Sequence, residues 1–211
     1  MSTTVSTAPR GVLAALCVTV TISYGTLYYA FAVLGPAISR HQGWSLTTLT
    51  AGFSAASLLT GLVGIPVGRE IQRHGPRRVM VLAAPLGAAG LLAMALASTP
   101  AWFIAGMLLC GIAAAGLFYA PAFAAITQWY GEQRVQALTA LTLVAGFAST
   151  IFAPLTTQLE HRLGWRWTYA ILAVLLLAAA LPLHAAVLNR PWHRATTRLR
   201  IATSSEVDGS R

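Results

Sequence analysis

The chain has 211 residues, 56% of them hydrophobic and 9% charged, with a formal net charge of +9 and a mean hydropathy of +0.67. A soluble globular protein carries roughly 25% charged residues, so this chain lacks the polar surface that water demands. The positive charge is no nucleic-acid footprint either, because the basic residues sit in gaps between apolar runs instead of clustering on one polar face.

A short polar tail, residues 1–10, precedes an apolar run over 11–38. That run is too long for a signal-peptide core, and no small-residue cleavage site closes it, so it reads as a retained span. About 20 apolar residues cross a bilayer as a helix. Five more runs of that kind follow, over 46–67, 79–98, 102–128, 136–158 and 167–188. The fold class expected is therefore all-α: a polytopic membrane bundle of six helices over 11–188, followed by a basic tail over 189–211. Arg190, Arg194 and Arg198 in that tail are spaced by four and suit a segment lying on the membrane surface. The final dozen residues show no apolar period and read as disordered.

The six tryptophans, Trp44, Trp102, Trp129, Trp165, Trp167 and Trp192, all lie at or just beyond a span end, the headgroup level that amphipathic rings prefer. Arginine sets the orientation, since positive charge is retained in the cytoplasm. With the N-terminus inside, eleven arginines are cytoplasmic and three (Arg40, Arg162, Arg166) face the other way. Both termini are thus expected in the cytoplasm, with the chain multi-pass in the cell membrane. Gly64 with Gly68, and Ala51 with Ala55, offer flat faces to neighbouring helices. Cys17 and Cys110 sit inside apolar runs as small hydrophobes, so no disulfide framework, metal or cofactor is expected.

The stretch "GREIQRHGPRRVM", between spans two and three, carries the most specific pattern. Its Gly68, Gln72, Arg73, Gly75, Arg77 and Arg78 match the spacing and place of a loop motif of the major facilitator superfamily, with Gln72 where that motif has an acid. "GWS" at 43–45 and "GWRW" at 164–167 also resemble this superfamily. "HGPRRVM" and "YGTLYYAF" are most similar to its monocarboxylate and oxalate–formate branches. The resemblance covers about residues 11 to 190 and implies the N-terminal six-helix half of a twelve-helix secondary transporter, itself built as two three-helix repeats. "LYYAFAV" at 27–33 and "LFYAPAF" at 117–123 are a trace of that repeat. An arginine that many members carry in the fourth helix has no equivalent. The glycine–proline pair associated with antiporters is only "AP" at 153–154, so antiport is not implied.

The resemblance implies transport of a small solute by alternating access, with an organic anion such as a monocarboxylate as the favoured class. One half supplies one wall of a pathway that needs two. The chain is thus expected to be truncated, to form a homodimer, or to pair with a separately encoded second half. It also implies that the arginine loop gates the helix ends, weakened here because Gln72 supplies no charge. The plainer reading is that these arginines fix topology and touch anionic lipid.

No Asp, Glu, Lys or Arg falls in the middle of a span, so this half offers no obvious proton relay. Tyr24, Tyr28 and Phe31 share a helical face, and Tyr29 and Tyr119 occupy matched places in the repeat trace. These tyrosines are candidates for the substrate pathway, with Tyr28 and Tyr119 foremost; packing between helices is the alternative. Thr142, with Thr139, is a weaker candidate, because threonine commonly bonds its own helix. The histidines lie near span ends, unpaired for haem. An intramembrane serine protease would need Ser54 and His184 together, yet they belong to opposite depths, so no enzyme is expected. A membrane assembly or regulatory subunit without transport is the remaining alternative.

Overall fold

The computed structural model describes residues 10–189 and 191–192. The tail arginines 190, 194 and 198 and the final dozen residues lie outside the described residues. The first span is one continuous helical stretch: α1 (Arg10–Tyr24), a π-helical turn (Gly25–Tyr29) and α2 (Ala30–Gln42). α3 (Leu46–His74) and α4 (Pro76–Ala95) are the second and third spans. α5 (Pro100–Leu117) and α6 (Tyr119–Trp129) make the fourth, interrupted where Phe118 turns extended. A 3₁₀ turn (Gly131–Gln133), α7 (Arg134–Gly146) and α8 (Ala148–Val187) complete the described helices.

Five helical stretches are long and apolar enough to cross a membrane, and the last, Gly131–Val187, runs for 57 residues. A helix rises 1.5 Å per residue, so straight it would span about 85 Å, nearly three bilayer cores. It doubles back instead. Gly164 has φ 77° and ψ 165°, a conformation that essentially only glycine adopts. Before it, the Leu13 amide donates to the Tyr130 hydroxyl at 2.9 Å, Phe152 packs on Gly25, and Glu160 lies 3.8 Å from His41. Residues 130–160 therefore run alongside the first span in the same direction. After it, Arg166 donates to the Ala95 carbonyl at 2.8 Å and Arg77 to the Ala185 carbonyl at 3.0 Å. The last part of α8 therefore runs antiparallel to α4. Six passes result, as the sequence predicts, with one end rich in arginine and the other closed by the Gly43, Thr99 and Gly164 turns.

The turns carry the repeat more clearly than the letters do. Gly75, between spans two and three, has φ 85° and ψ 168°; Gly164, between spans five and six, is nearly identical. Gly43 and Gly131, which precede the middle span of each triplet, also have positive φ. The first helix of each triplet is interrupted at the same place, by the π turn before Ala30 and by the break at Phe118.

Packing corrects one expectation. A Cβ on Gly64 or Gly68 would meet nothing within 4 Å, and Ala51 and Ala55 are exposed, so those faces are not used inside this chain. α3 meets α5 through Gly52, Ala56 and Thr60, whose hydroxyl donates to the Gly111 carbonyl at 2.8 Å. Each four-residue step turns the helix by about 40°, and by Gly64 the row has rotated away from α5. The close approach lies elsewhere. A Cβ on Gly90 would stand 2.6 Å from the Cys110 sulfur, and one on Gly116 2.7 Å from the Ala83 Cβ. Small residues thus let α4 and α5 pack backbone to backbone.

The tryptophans lie at span ends as expected, but not all are headgroup anchors. Trp44 and Phe103 each pack edge to face with Trp165, all three rings lying within 6.3 Å of one another, and Trp165 is buried with Arg166 over its ring at 4.3 Å. They seal the arginine-poor end of the bundle.

Candidate functional site: an aromatic cavity and the arginine loop

Four buried hydroxyls follow one another along α1 and its π turn, and the last, Thr26, lines the aromatic cavity. Thr19, Thr21, Ser23 and Thr26 are buried, and each donates to a carbonyl one turn back, at 3.4, 2.7, 2.7 and 2.8 Å. Such back-bonding satisfies polar groups in an apolar interior while loosening the helix. At Gly25 the helix widens into a π turn, a feature frequent at functional sites. Phe152 sits where a Gly25 Cβ would be.

The widened turn throws its tyrosines into one cluster. Tyr24 stacks on Phe118 at 3.9 Å and lies 4.9 Å from Tyr119, 6.4 Å from Tyr28 and 6.5 Å from Tyr29. Tyr28 and Phe31 both pack on Phe53, at 5.1 and 4.8 Å. Beside them is a cavity of about 400 Å³. The first span lines it with Tyr24, Thr26, Leu27, Tyr28, Tyr29 and Phe31; α3 adds Phe53, Ala56, Ser57 and Thr60; α4 adds Leu91 and Met94. Met107, Cys110, Gly111, Ala114 and Phe118 come from the fourth span and Tyr169 from the sixth. Tyr28 and Ser57 are exposed at its mouth, whereas Met94, Met107, Cys110 and Tyr169 form a buried floor. No lining residue is charged.

The site residues expected from sequence are therefore only partly brought together. Tyr24, Tyr28 and Tyr29 line the cavity; Tyr119 touches its edge through Tyr24 and is not in the lining. The simple helical-face argument omitted Tyr29, because it assumed unbroken α-helix where a π turn adds a residue. Thr142 and Thr139 stand outside the lining, exposed on α7, with their hydroxyls donating to Leu138 and Val135 carbonyls at 2.9 Å. Phe53, Ser57, Thr60, Cys110 and Tyr169 were not anticipated. Tyr169, the lone tyrosine of the sixth span, was the sequence signal available.

At the other candidate site, α3 ends and α4 begins across Gly75. The Arg77 guanidinium donates twice to the Ala185 carbonyl, at 3.0 and 3.2 Å, capping the last turn of α8. Trp192 lays its ring against Gly75, where a Cβ would stand 3.0 Å away, and its indole N–H donates to the Gln72 carbonyl at 3.2 Å. Trp129 packs edge-on to Trp192 at 6.1 Å and donates to the Pro191 carbonyl at 3.3 Å. Gln72 thus contributes its backbone, while its side chain, Arg73 and Arg78 are exposed. Glu70 pairs with His74 at 2.8 Å on the same helix. A Cβ on Gly68 would meet nothing.

Ser54 is exposed on α3 near the arginine-poor end, whereas His184 lies beside Met80 at the opposite end, with Nδ1 3.2 Å from the Met80 carbonyl. No nucleophile–base pair forms from them. Among the described residues no three His, Cys, Asp or Glu gather as a metal site.

Comparison with known proteins agrees with this architecture. The chain is 30% identical over 165 residues to monocarboxylate transporter 11 of Homo sapiens, covering 77% of this chain and 33% of that protein. It is 27% identical over 170 residues to the MFS-type transporter YcxA of Bacillus subtilis, covering 78% and 40%. It is 27% identical over 129 residues to an MFS-type transporter of Gibberella moniliformis, covering 61% and 31%. The chain spans about a third of the length of these relatives. Residues 16–204 match the family model of the Major Facilitator Superfamily, so the chain, a multi-pass membrane protein, belongs to that superfamily.

Proposed function

We propose that the chain is the N-terminal half of a secondary transporter that moves a small organic anion, such as a monocarboxylate, by alternating access. The observation that carries this reading is the tyrosine-lined cavity, with Tyr28 and Ser57 exposed at its mouth. Aromatic walls accept a hydrocarbon body, and hydroxyls hydrogen-bond an oxygen terminus. Similarity to monocarboxylate transporter 11 supports the substrate class. The second wall comes from a further segment of the same protein, from another copy or from a separate chain, and both ends of this half face the cytoplasm of the cell membrane. The arginine loop serves as the cytoplasmic gate.

The test is uptake of a panel of monocarboxylates and dicarboxylates into proteoliposomes, with oligomeric state measured alongside. Saturable uptake of a monocarboxylate supports the reading. No uptake, alone or with a complementing second half, overturns it. It would favour an assembly or regulatory subunit.

A further inference from the structure

Among the described residues, three buried side-chain polar atoms have no hydrogen-bond partner: Thr156 Oγ1, His184 Nε2 and the Tyr169 hydroxyl. Only Tyr169 lines the cavity. It is 1% exposed, its ring rests edge-on against Phe103 at 5.9 Å, and it sits in the floor with Met94, Met107 and Cys110. A buried hydroxyl without a partner is costly, and phenylalanine would fill the same space without that cost. The other hydroxyls around the cavity do not share the problem. Thr26, Ser57 and Thr60 donate to carbonyls of their own helices at 2.8–2.9 Å. The Cys110 thiol is directed at the Gly87 carbonyl, 3.8 Å away, and the Met94 sulfur, 4.0 Å away.

We infer that Tyr169 is a specificity-determining residue, whose hydroxyl donates to the hydrogen-bond-accepting end of a solute seated in the cavity. The ligand class is a small molecule with an apolar body and one oxygen terminus, a carboxylate or carbonyl. The apolar body lies against Phe31, Leu91, Met94 and Met107, and the oxygen terminus reaches the floor. Among the described residues no cation lines the cavity, so its hydroxyl donors recognise that terminus. Recognition by a buried polar group discriminates strongly, because a ligand lacking the acceptor leaves the group unpaired. This inference rests on the cavity being the solute site.

The experiment measures binding of 4-fluorobenzoate and of fluorobenzene, which lacks the acceptor, to the purified full chain by fluorine NMR titration. Ser57→Trp, which fills the mouth, serves as the blocked control. In Tyr169→Phe, the Kd for 4-fluorobenzoate should rise about tenfold, while that for fluorobenzene stays within about twofold and the unfolding temperature is unchanged or higher. If Tyr169→Phe leaves both affinities unchanged, or weakens both equally, the inference about Tyr169 is overturned and the cavity remains a binding site. If the parent chain binds neither probe, or Ser57→Trp binds both normally, the cavity reading itself falls and the Tyr169 inference with it.

Discussion

Gly75, Gln72 and the tyrosines carry much of the local logic. Gly75 occupies a backbone region closed to side chains and lies under the Trp192 ring. Gly75→Ala adds backbone strain of about 1–3 kcal/mol and crowds Trp192, so the unfolding temperature in detergent should fall by several degrees. Unchanged melting would mean that the turn relaxes freely. Gln72 stands where the resembled motif has an acid, and its side chain is exposed. Gln72→Asp should therefore shift the balance of inward and outward states, read by state-selective thiol labelling on the two faces. Identical labelling would count against a gating role for the loop. For the tyrosines, the double variant Tyr28→Phe with Tyr119→Phe keeps the rings and removes the hydroxyls. Uptake should drop about a hundredfold or more if both hydroxyls meet solute, since each bond to a charged partner is worth roughly 1.5–3 kcal/mol. Tyr119 stands only at the cavity edge, so the Tyr28 single variant should account for most of the loss.

At the level of elements, the first span matters most. Its π turn, not an amphipathic period, places three tyrosines beside the cavity. Gly25 permits this by leaving room for Phe152. Gly25→Ala overpacks that contact at a cost of about 1–3 kcal/mol, and it should perturb binding along with stability. Phe152→Leu in the same chain should recover part of the lost melting temperature. A second-site change without effect would show that the two residues do not meet. The π turn was not legible in the sequence. Nothing in "SYGTLYYA" distinguishes an α turn from a π turn until a neighbouring aromatic occupies the space that a Cβ would take. Several span starts were legible, although the second span, expected to end at 67, continues as helix to His74. Ser45 and Thr99 cap α3 and α5, and Pro76 and Pro100 open α4 and α5, through rules that act locally.

Across the whole molecule, the arginines partition cleanly by end. Arg69, Arg73, Arg77, Arg78 and Arg134 belong to one end of the bundle, while Arg40, Arg162 and Arg166 belong to the other. If the positive-inside rule holds here, Ser98→Cys in intact cells should react with a membrane-impermeant maleimide and Ser204→Cys should not. The reverse pattern would invert the proposed topology.

What the sequence determined by itself was the class, the six passes and the family. Each follows from quantities summed locally: apolar run length, charge asymmetry and motif spacing. What only the tertiary structure decided was which small and polar residues matter. Gly64 and Gly68 stand idle while Gly90 and Gly116 pack, Thr142 turns inward on its own helix, and Tyr169 joins Tyr24 across the bundle at one cavity. The reason is geometric. A membrane helix is apolar on every side, so its composition does not say which side meets a neighbour; that is settled only when the helices cross.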